Sequence, residues 1–328
     1  MRCGRCSHEW MAEDDWSRRF EEQLVGCPGC GTTCDNEHRP IYVASTQSPF
    51  QRDNYVREVY WYHTSTHANW PDQSYDPEAT LDDPSRRRME SQIGTGAVQR
   101  WALRQKRKAL HVGSYEAAIE NMIRRIRDQV GSAEQFFLYR VVLDRSCRMA
   151  PGLNDDRMGL IGDIELSELC SPSQNVYRYI NRFEDVSSVS LALNLDAISK
   201  VQRIAIPLPF TEPDETVQEI INQLVYDTMV EPPNDDDPLS RIRARVLTVE
   251  ERRKQYVTGG ASKLVTSVAR TLPWSPGRNF TLALAGTSRH NISEFASKVV
   301  GMKLLIEDSD SVLQELDNQP WRVLGKRK

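Results

Sequence analysis

Leu110-His111-Val112-Gly113-Ser114-Tyr115-Glu116-Ala117-Ala118 reads as the end of one element and the start of another. Ala109 to Val112 is a short apolar strand, Gly113 supplies a turn, and Ser114 is an N-cap residue whose hydroxyl can satisfy a free amide of a following helix. The residues after it place Ile119, Met122, Ile123, Ile126 and Val130 on one face at 3.6-residue spacing. That is the stripe of an amphipathic helix. A strand that turns directly into a capped helix sets the tone for the segments on either side.

Downstream, Phe136 to Leu143 is β-branched and aromatic and reads as a strand, as do residues 176–183 and Val189 to Leu195. Upstream, Glu58-Val59-Tyr60-Trp61-Tyr62-His63 reads as another, followed by the polar stretch Thr64 to Pro71. A helix covers much of 85–107 with a break at Gly94-Thr95-Gly96. Pro207, Pro209 and Pro213 then punctuate the chain. Beyond them we expect a helix from Glu215 to Met229, the acidic linker Glu231 to Pro238, and helices near 239–256, 260–270, 291–300 and 308–316. The organisation expected is therefore an N-terminal module over 1–40, an α+β domain over 41–200 and a mainly helical C-terminal region over 201–328.

The 328 residues exceed what one small core organises, which agrees with several units. Hydrophobic residues make up 39% of the chain, and the mean hydropathy is -0.57, values of a soluble globular protein. No run approaches the roughly 18 apolar residues of a membrane span. The net charge of -4 excludes a polyanion binder acting through its overall charge. Charge is uneven, however. Between Arg86 and Lys108 lie Arg86, Arg87, Arg88, Arg100, Arg104, Lys106, Arg107 and Lys108 against Glu90 alone. Such a stripe is either a nucleic-acid footprint or a solvated helix face.

Five of the seven cysteines fall in the first 34 residues, four of them as Cys3-Gly4-Arg5-Cys6 and Cys27-Pro28-Gly29-Cys30. Two Cys-x-x-Cys turns bring four thiolates around one tetrahedral Zn²⁺, which defines a zinc ribbon. With no apolar signal segment in residues 1–25, the expected setting is reducing and cytoplasmic. Gly4, Gly29 and Gly31 sit where such turns need positive φ or close backbone approach. Cys34 and His38 are alternative fourth ligands.

Tyr62-His63-Thr64-Ser65, then Leu110 to Ala118, then Glu184 in Asn181-Arg182-Phe183-Glu184-Asp185, resemble the three motifs of the ADP-ribosyltransferase superfamily. The branch resembled includes diphtheria toxin and the poly-ADP-ribose polymerases, and the likeness spans roughly residues 55–200. It implies a split β-sheet domain that uses NAD⁺ as substrate. It further implies that His63 bonds the NAD ribose while the backbone at Thr64 and Ser65 holds the nicotinamide amide. His111 would lie under the nicotinamide or its ribose, Ser114 would contact the amide, and Tyr115 would stack. Glu184 would be the catalytic carboxylate. The chain departs from the family pattern in three places: Thr64 replaces the usual Gly, His111 replaces the usual Tyr, and Glu184 is not part of a Glu-x-Glu pair.

The chemistry explains the residue types. Breaking the nicotinamide–ribose bond develops positive charge at the anomeric carbon, which a nearby carboxylate stabilises. A histidine orients the ribose because one ring nitrogen donates while the other accepts. Glu165 and Glu168 compete with Glu184 for the carboxylate role, and Ser114 is in any case an ordinary N-cap. The implied acceptor is a macromolecule, nucleic acid or protein; no membrane is implied and the oligomeric state stays open. Two rivals remain. One is a non-enzymatic zinc-ribbon adaptor that binds nucleic acid or protein. The other is an RNA 2′-phosphotransferase, which also uses NAD but draws on basic residues.

Overall fold

A computed structural model describes residues 1–13, 16–33, 40–43, 47–72, 74–128, 135–156, 163–182, 184–208, 259–284 and 292–325, with single positions at 215, 218, 219 and 222. The expected helices over most of 215–229 and over 239–256 lie outside them, as do Cys34 and His38.

After α1 (Trp16–Glu21) and α2 (Asp53–Glu58), the chain enters β1 (Trp61–Ser65). Two helices follow, α3 (Asp83–Ile93) and α4 (Ala97–Arg107), where one broken helix was expected. The break is local chemistry. Asp82 caps α3 by accepting from the Ser85 amide at 2.8 Å, and the helix stops at Gly94, whose φ of +105° favours glycine. Glu90, the lone acid of the basic stripe, reaches across the break and accepts from the amides of Gly96 at 2.7 Å and Val98 at 3.0 Å. Those bonds, the Val98 amide foremost, hold its carboxyl below the usual range.

Next come β2 (Leu110–Val112), α5 (Tyr115–Asp128), β3 (Phe136–Leu143), β4 (Asn154–Asp155), β5 (Val176–Ile180), β6 (Val189–Leu193) and β7 (Ile198–Ile206). The helices α6 (Gly259–Thr271), α7 (Trp274–Leu284), α8 (Ile292–Glu307) and α9 (Ser309–Asp317) precede the short β8 (Arg322–Val323). The strands form two four-stranded sheets, β1-β3-β7-β8 and β2-β6-β5-β4, antiparallel except for the β4–β5 pair. The chain is therefore of the mixed α+β class. The strand read as Glu58 to His63 is shifted to 61–65 because Asp53 to Glu58 forms α2 instead.

The sheets share a core. Trp61, Tyr139, Val141 and Val201 of the first pack against Val112, Val176, Leu191 and Leu193 of the second. The other face of the first sheet, with Leu138, Ile204 and Ile206, packs against Ile119, Met122 and Ile123 of α5 and against Phe280, Val299 and Leu316 of the C-terminal helices. Each such fully buried side chain contributes about 1.5–3 kcal/mol. The period-2 alternation of β3 explains the division: Phe136 and Leu138 face the helices, Tyr139, Val141 and Leu143 the second sheet.

The described residues beyond 200 pack against the same core as the sheets. The 200/201 boundary falls inside β7, α7 packs on α5, and β8 closes the edge of the first sheet. Arg140 secures the connection. Its guanidinium is buried, donates to Leu313 O at 3.1 Å and to Asp317, and shares Gln202, its cross-strand partner, at 3.2 Å.

Candidate functional site

The N-terminal cysteines form the first candidate site. The sulfurs of Cys3, Cys6, Cys27 and Cys30 all lie within 4.8 Å of one another, with Cys3···Cys30 at 3.8 Å and Cys6···Cys27 at 3.6 Å. Four sulfurs about 2.3 Å from a shared tetrahedral ion stand roughly 3.8 Å apart, so the group is spaced to hold a metal ion. The two turns are built alike. The amide of Arg5 donates to Cys3 Sγ at 3.4 Å and that of Gly29 to Cys27 Sγ at 3.3 Å. Four residues past each leading cysteine the backbone turns left-handed, at Gly31 (φ +69°) and, in the first turn, at Ser7 (φ +58°). Gly31 was expected there; Ser7 takes the position in place of Gly4. Gly29 answers to close approach, since a Cβ on it would meet the His8 ring at 2.7 Å. The Thr32 hydroxyl, and then its amide, hold the Cys30 thiol down to about 6.

The second candidate site is the seam between the sheets. They join at one bridged pair, Tyr62 and Gly113, whose amides and carbonyls exchange bonds at 2.9 Å. Gly113 has to be glycine: a Cβ there would meet Ser190 Oγ at 2.8 Å and the Ala117 side chain at 3.1 Å. Beyond this pair the sheets part. Strand alternation turns the amide of Thr64, two residues on from Tyr62, to the same side of β1 as the Tyr62 bridge, and its carbonyl accepts from Arg125 at 3.0 Å.

His63 lines the seam. Its Nδ1 lies 2.7 Å from the carbonyl of His111, which can only accept, so Nδ1 carries the proton and Nε2 is left as an acceptor. The ring stacks on Trp70 with centroids 3.9 Å apart and planes 18° off parallel. Burial, and then the charge of Arg125, push its pKa down to about 3, which keeps the imidazole neutral at ordinary pH. His111 shares a bond with the Tyr179 hydroxyl at 3.2 Å. Burial, and then the charges of Glu184 and Asp156, push that phenol up.

Ser114 caps α5 as expected, accepting from the Ala117 amide at 3.0 Å, and it donates to Asp185 at 2.5 Å. Asp185 is left-handed (φ +44°), and its amide donates to Glu120 at 2.7 Å. Glu184 is buried beside it. Its Oε1 accepts from Asn121 at 3.0 Å and from Arg124 Nε at 2.9 Å, and lies 2.7 Å from Arg124 Nη2. The carboxylate is thus fixed by one oxygen.

The structure thus ties His63 to His111 across the seam, Ser114 to Asp185, and Glu184 beside it to Asn121 and Arg124 of α5. Ser65 is buried and accepts from the His67 amide at 3.1 Å, which shapes the turn after β1. Tyr115 departs from its expected role. It is buried in the core, edge-on to Tyr62, and its hydroxyl donates to Leu305 O at 2.8 Å, so its ring packs helices rather than a ligand. Glu165 and Glu168 are engaged with each other's backbone in a capping box on a short 3₁₀ turn, Leu166–Glu168. Sequence reading missed Asn121, Arg124 and Tyr179. The signal for the first two was the polar side of α5, where positions 121 and 124 share a face opposite Ile119, Met122 and Ile123.

Half of the basic stripe is neutralised within the chain. Arg86 pairs with Glu78 at 3.0 Å, Lys106 with Asp76 at 3.1 Å, Arg107 with Glu165 at 3.9 Å, and Lys108 with Asp163. Among the described residues no helix is long and apolar enough to cross a membrane. No family model, no curated protein and no solved structure matches the chain. A functional reading therefore rests on the residues and their geometry.

Proposed function

We propose that the chain transfers ADP-ribose from NAD⁺ to a macromolecular acceptor, nucleic acid or protein, and that its N-terminal cysteines hold a structural Zn²⁺. What supports the reading is that three segments are tied together by hydrogen bonds: the His63 ring to the His111 carbonyl, Ser114 to Asp185, and Glu184, beside Asp185, to Arg124 of α5.

In this reading the neutral His63 accepts a ribose hydroxyl through Nε2, and the Thr64 amide bonds the nicotinamide carboxamide. Both groups are fixed in advance, His63 by the His111 carbonyl and Trp70, Thr64 by its strand, so positioning supplies much of the rate. The ribose–nicotinamide bond breaks with its electron pair going to the nicotinamide nitrogen. The second oxygen of Glu184, held on the far side by Arg124 and Asn121, stabilises the charge that develops at the anomeric carbon. The acceptor's oxygen or nitrogen then bonds that carbon, and its proton passes to the carboxylate and on to solvent. All four thiolates of the Zn²⁺ site come from the protein, which leaves no open position, so the ion shapes the ribbon without entering the chemistry.

A second reading, RNA 2′-phosphotransfer, draws support from Arg124 and Arg125, two guanidiniums on adjacent residues of α5 beside His63 and Glu184. One assay separates them. Wild-type protein incubated with NAD⁺ and separate protein and nucleic-acid pools is expected to release nicotinamide, and His63→Ala or Glu184→Gln to abolish the release. Nicotinamide release that requires a 2′-phosphorylated RNA establishes the second reading. A wild type that neither binds nor consumes NAD⁺ ends both.

A further inference from the structure

The loop after β1 is held from an unexpected quarter. Five consecutive carbonyls, His67 to Pro71, each accept a bond from a side chain of the first sheet. The Tyr139 hydroxyl donates to His67 O at 2.6 Å and Arg203 to Ala68 O. Arg322 takes the remaining three: Asn69 O at 3.1 Å, Trp70 O, and Pro71 O at 3.5 Å. Tyr139 and Arg203 are cross-strand partners, and Arg322 lies opposite Val201, two residues from Arg203. Three adjacent strands thus present their donors on one face.

Arg322 belongs to the last strand of the described chain, more than 250 residues from the loop it holds. The approach to it is anchored on the same sheet. Gln202 donates to Gln319 O at 2.7 Å, Arg140 to Leu313 O at 3.1 Å, and the Leu324 amide to Ser199 O at 2.9 Å. A lysine offers a single compact head where this site uses both terminal nitrogens of a planar fork, so the guanidinium is matched to the row of carbonyls. The loop carries Trp70, and Trp70 is the surface against which the His63 ring lies.

The geometry points to the C-terminal strand as a working part of the candidate site: Arg322 is a positioning residue that fixes the His67–Pro71 loop and, through Trp70, the His63 ring. The kinetic consequence rests on the NAD reading above; the structural one does not. The test uses the full chain as wild type, Arg322→Ala and Arg322→Lys, with Arg178→Ala as a variant that loses stability away from the loop. In the free protein, stacking on Trp70 displaces the His63 ring-proton resonances upfield. That displacement is expected to collapse in Arg322→Ala, to be partly kept in Arg322→Lys and to be unchanged in Arg178→Ala. In the NAD⁺ assay, Arg322→Ala is expected to lower kcat by about tenfold with a smaller rise in KM, and Arg322→Lys to recover part of the loss. A wild-type His63 resonance in Arg322→Ala, or an equal displacement in Arg178→Ala, overturns the proposal. Where Arg322→Ala does not fold, Arg322→Lys carries the same comparison. If no variant consumes NAD⁺, the resonances alone decide, so failure of the positioning role and failure of the NAD reading are told apart.

Discussion

In the N-terminal module, four sulfurs from two tight turns stand within 4.8 Å of one another, and each turn is completed by its own backbone amides. In the second site the bonds of His63 to His111, His111 to Tyr179, Ser114 to Asp185 and Glu184 to Arg124 join residues 48 to 71 apart in the chain. The first site is local and is spaced to hold an ion. The second is assembled by two sheets and one helix and depends on the whole body being folded. Removing what holds one should therefore leave the other standing.

The largest effect expected is on the module. Structural zinc contributes about 10–16 kcal/mol of apparent binding energy at neutral pH, far more than a module with one six-residue helix gains from packing. Chelation is expected to abolish amide-exchange protection across residues 1–33 while β1 and β3 keep theirs. Protection lost in both places would break the contrast.

Next is the body's own long-range clamp. Arg178 on β5 is buried, donates to the carbonyls of Phe50 and Gln51 at 3.1 Å each and of Ala150 at 3.0 Å, and lies 2.9 Å from Asp53. Arg178→Ala removes three donated hydrogen bonds, at about 1 kcal/mol each. A fall of roughly 3 kcal/mol in urea unfolding is expected, with metal content unchanged. A loss confined to a few tenths would show that the segment 50–53 is held by something else.

Glu184→Gln keeps an oxygen for Asn121 and Arg124 but removes the charge. Nicotinamide release is expected to drop by about 10²–10³, the scale of one lost electrostatic stabiliser, with the melting temperature nearly unchanged. A variant that retains full rate assigns the carboxylate to structure alone.

The smallest effect is a pH dependence. His63 titrates near 3 in the folded protein but near its ordinary value of 6.5 when unfolded. The unfolded chain therefore binds the extra proton first as pH falls. The stabilisation from the neutral ring is complete above about 6.5 and is lost progressively toward about 3. His63→Gln is expected to flatten that part of the stability curve, measured by urea titration at stepped pH, while leaving the curve above pH 7 parallel to wild type. An identical slope in both proteins excludes the depressed titration.

Much of the local structure was legible. Phe136 to Leu143 is a strand with the expected ends, and the Gly113 turn, the Ser114 cap and the apolar face of α5 are as the residues imply. The four cysteines were legible because the ligand spacing is itself the signal. What escaped was whatever the topology decides. Tyr115 follows a cap and reads as a site residue, yet the C-terminal helices cover it. The strand Ile198–Ile206 ends where prolines begin, and the boundary was drawn through it. Arg124 and Arg322 gave no sign of their partners, because a guanidinium's role is set by which acceptors the fold brings to it.

The claim on which the rest depends is that His63 presents an accepting Nε2 to NAD⁺ at the seam. Nitrogen-15 spectra of the histidine rings, recorded on the full chain with and without NAD⁺, test it directly. The expected result is a neutral His63 protonated on Nδ1, whose Nε2 resonance shifts as NAD⁺ is added and does not shift with Glu184→Gln alone. An Nε2-protonated ring, or a His63 signal indifferent to saturating NAD⁺, would contradict it.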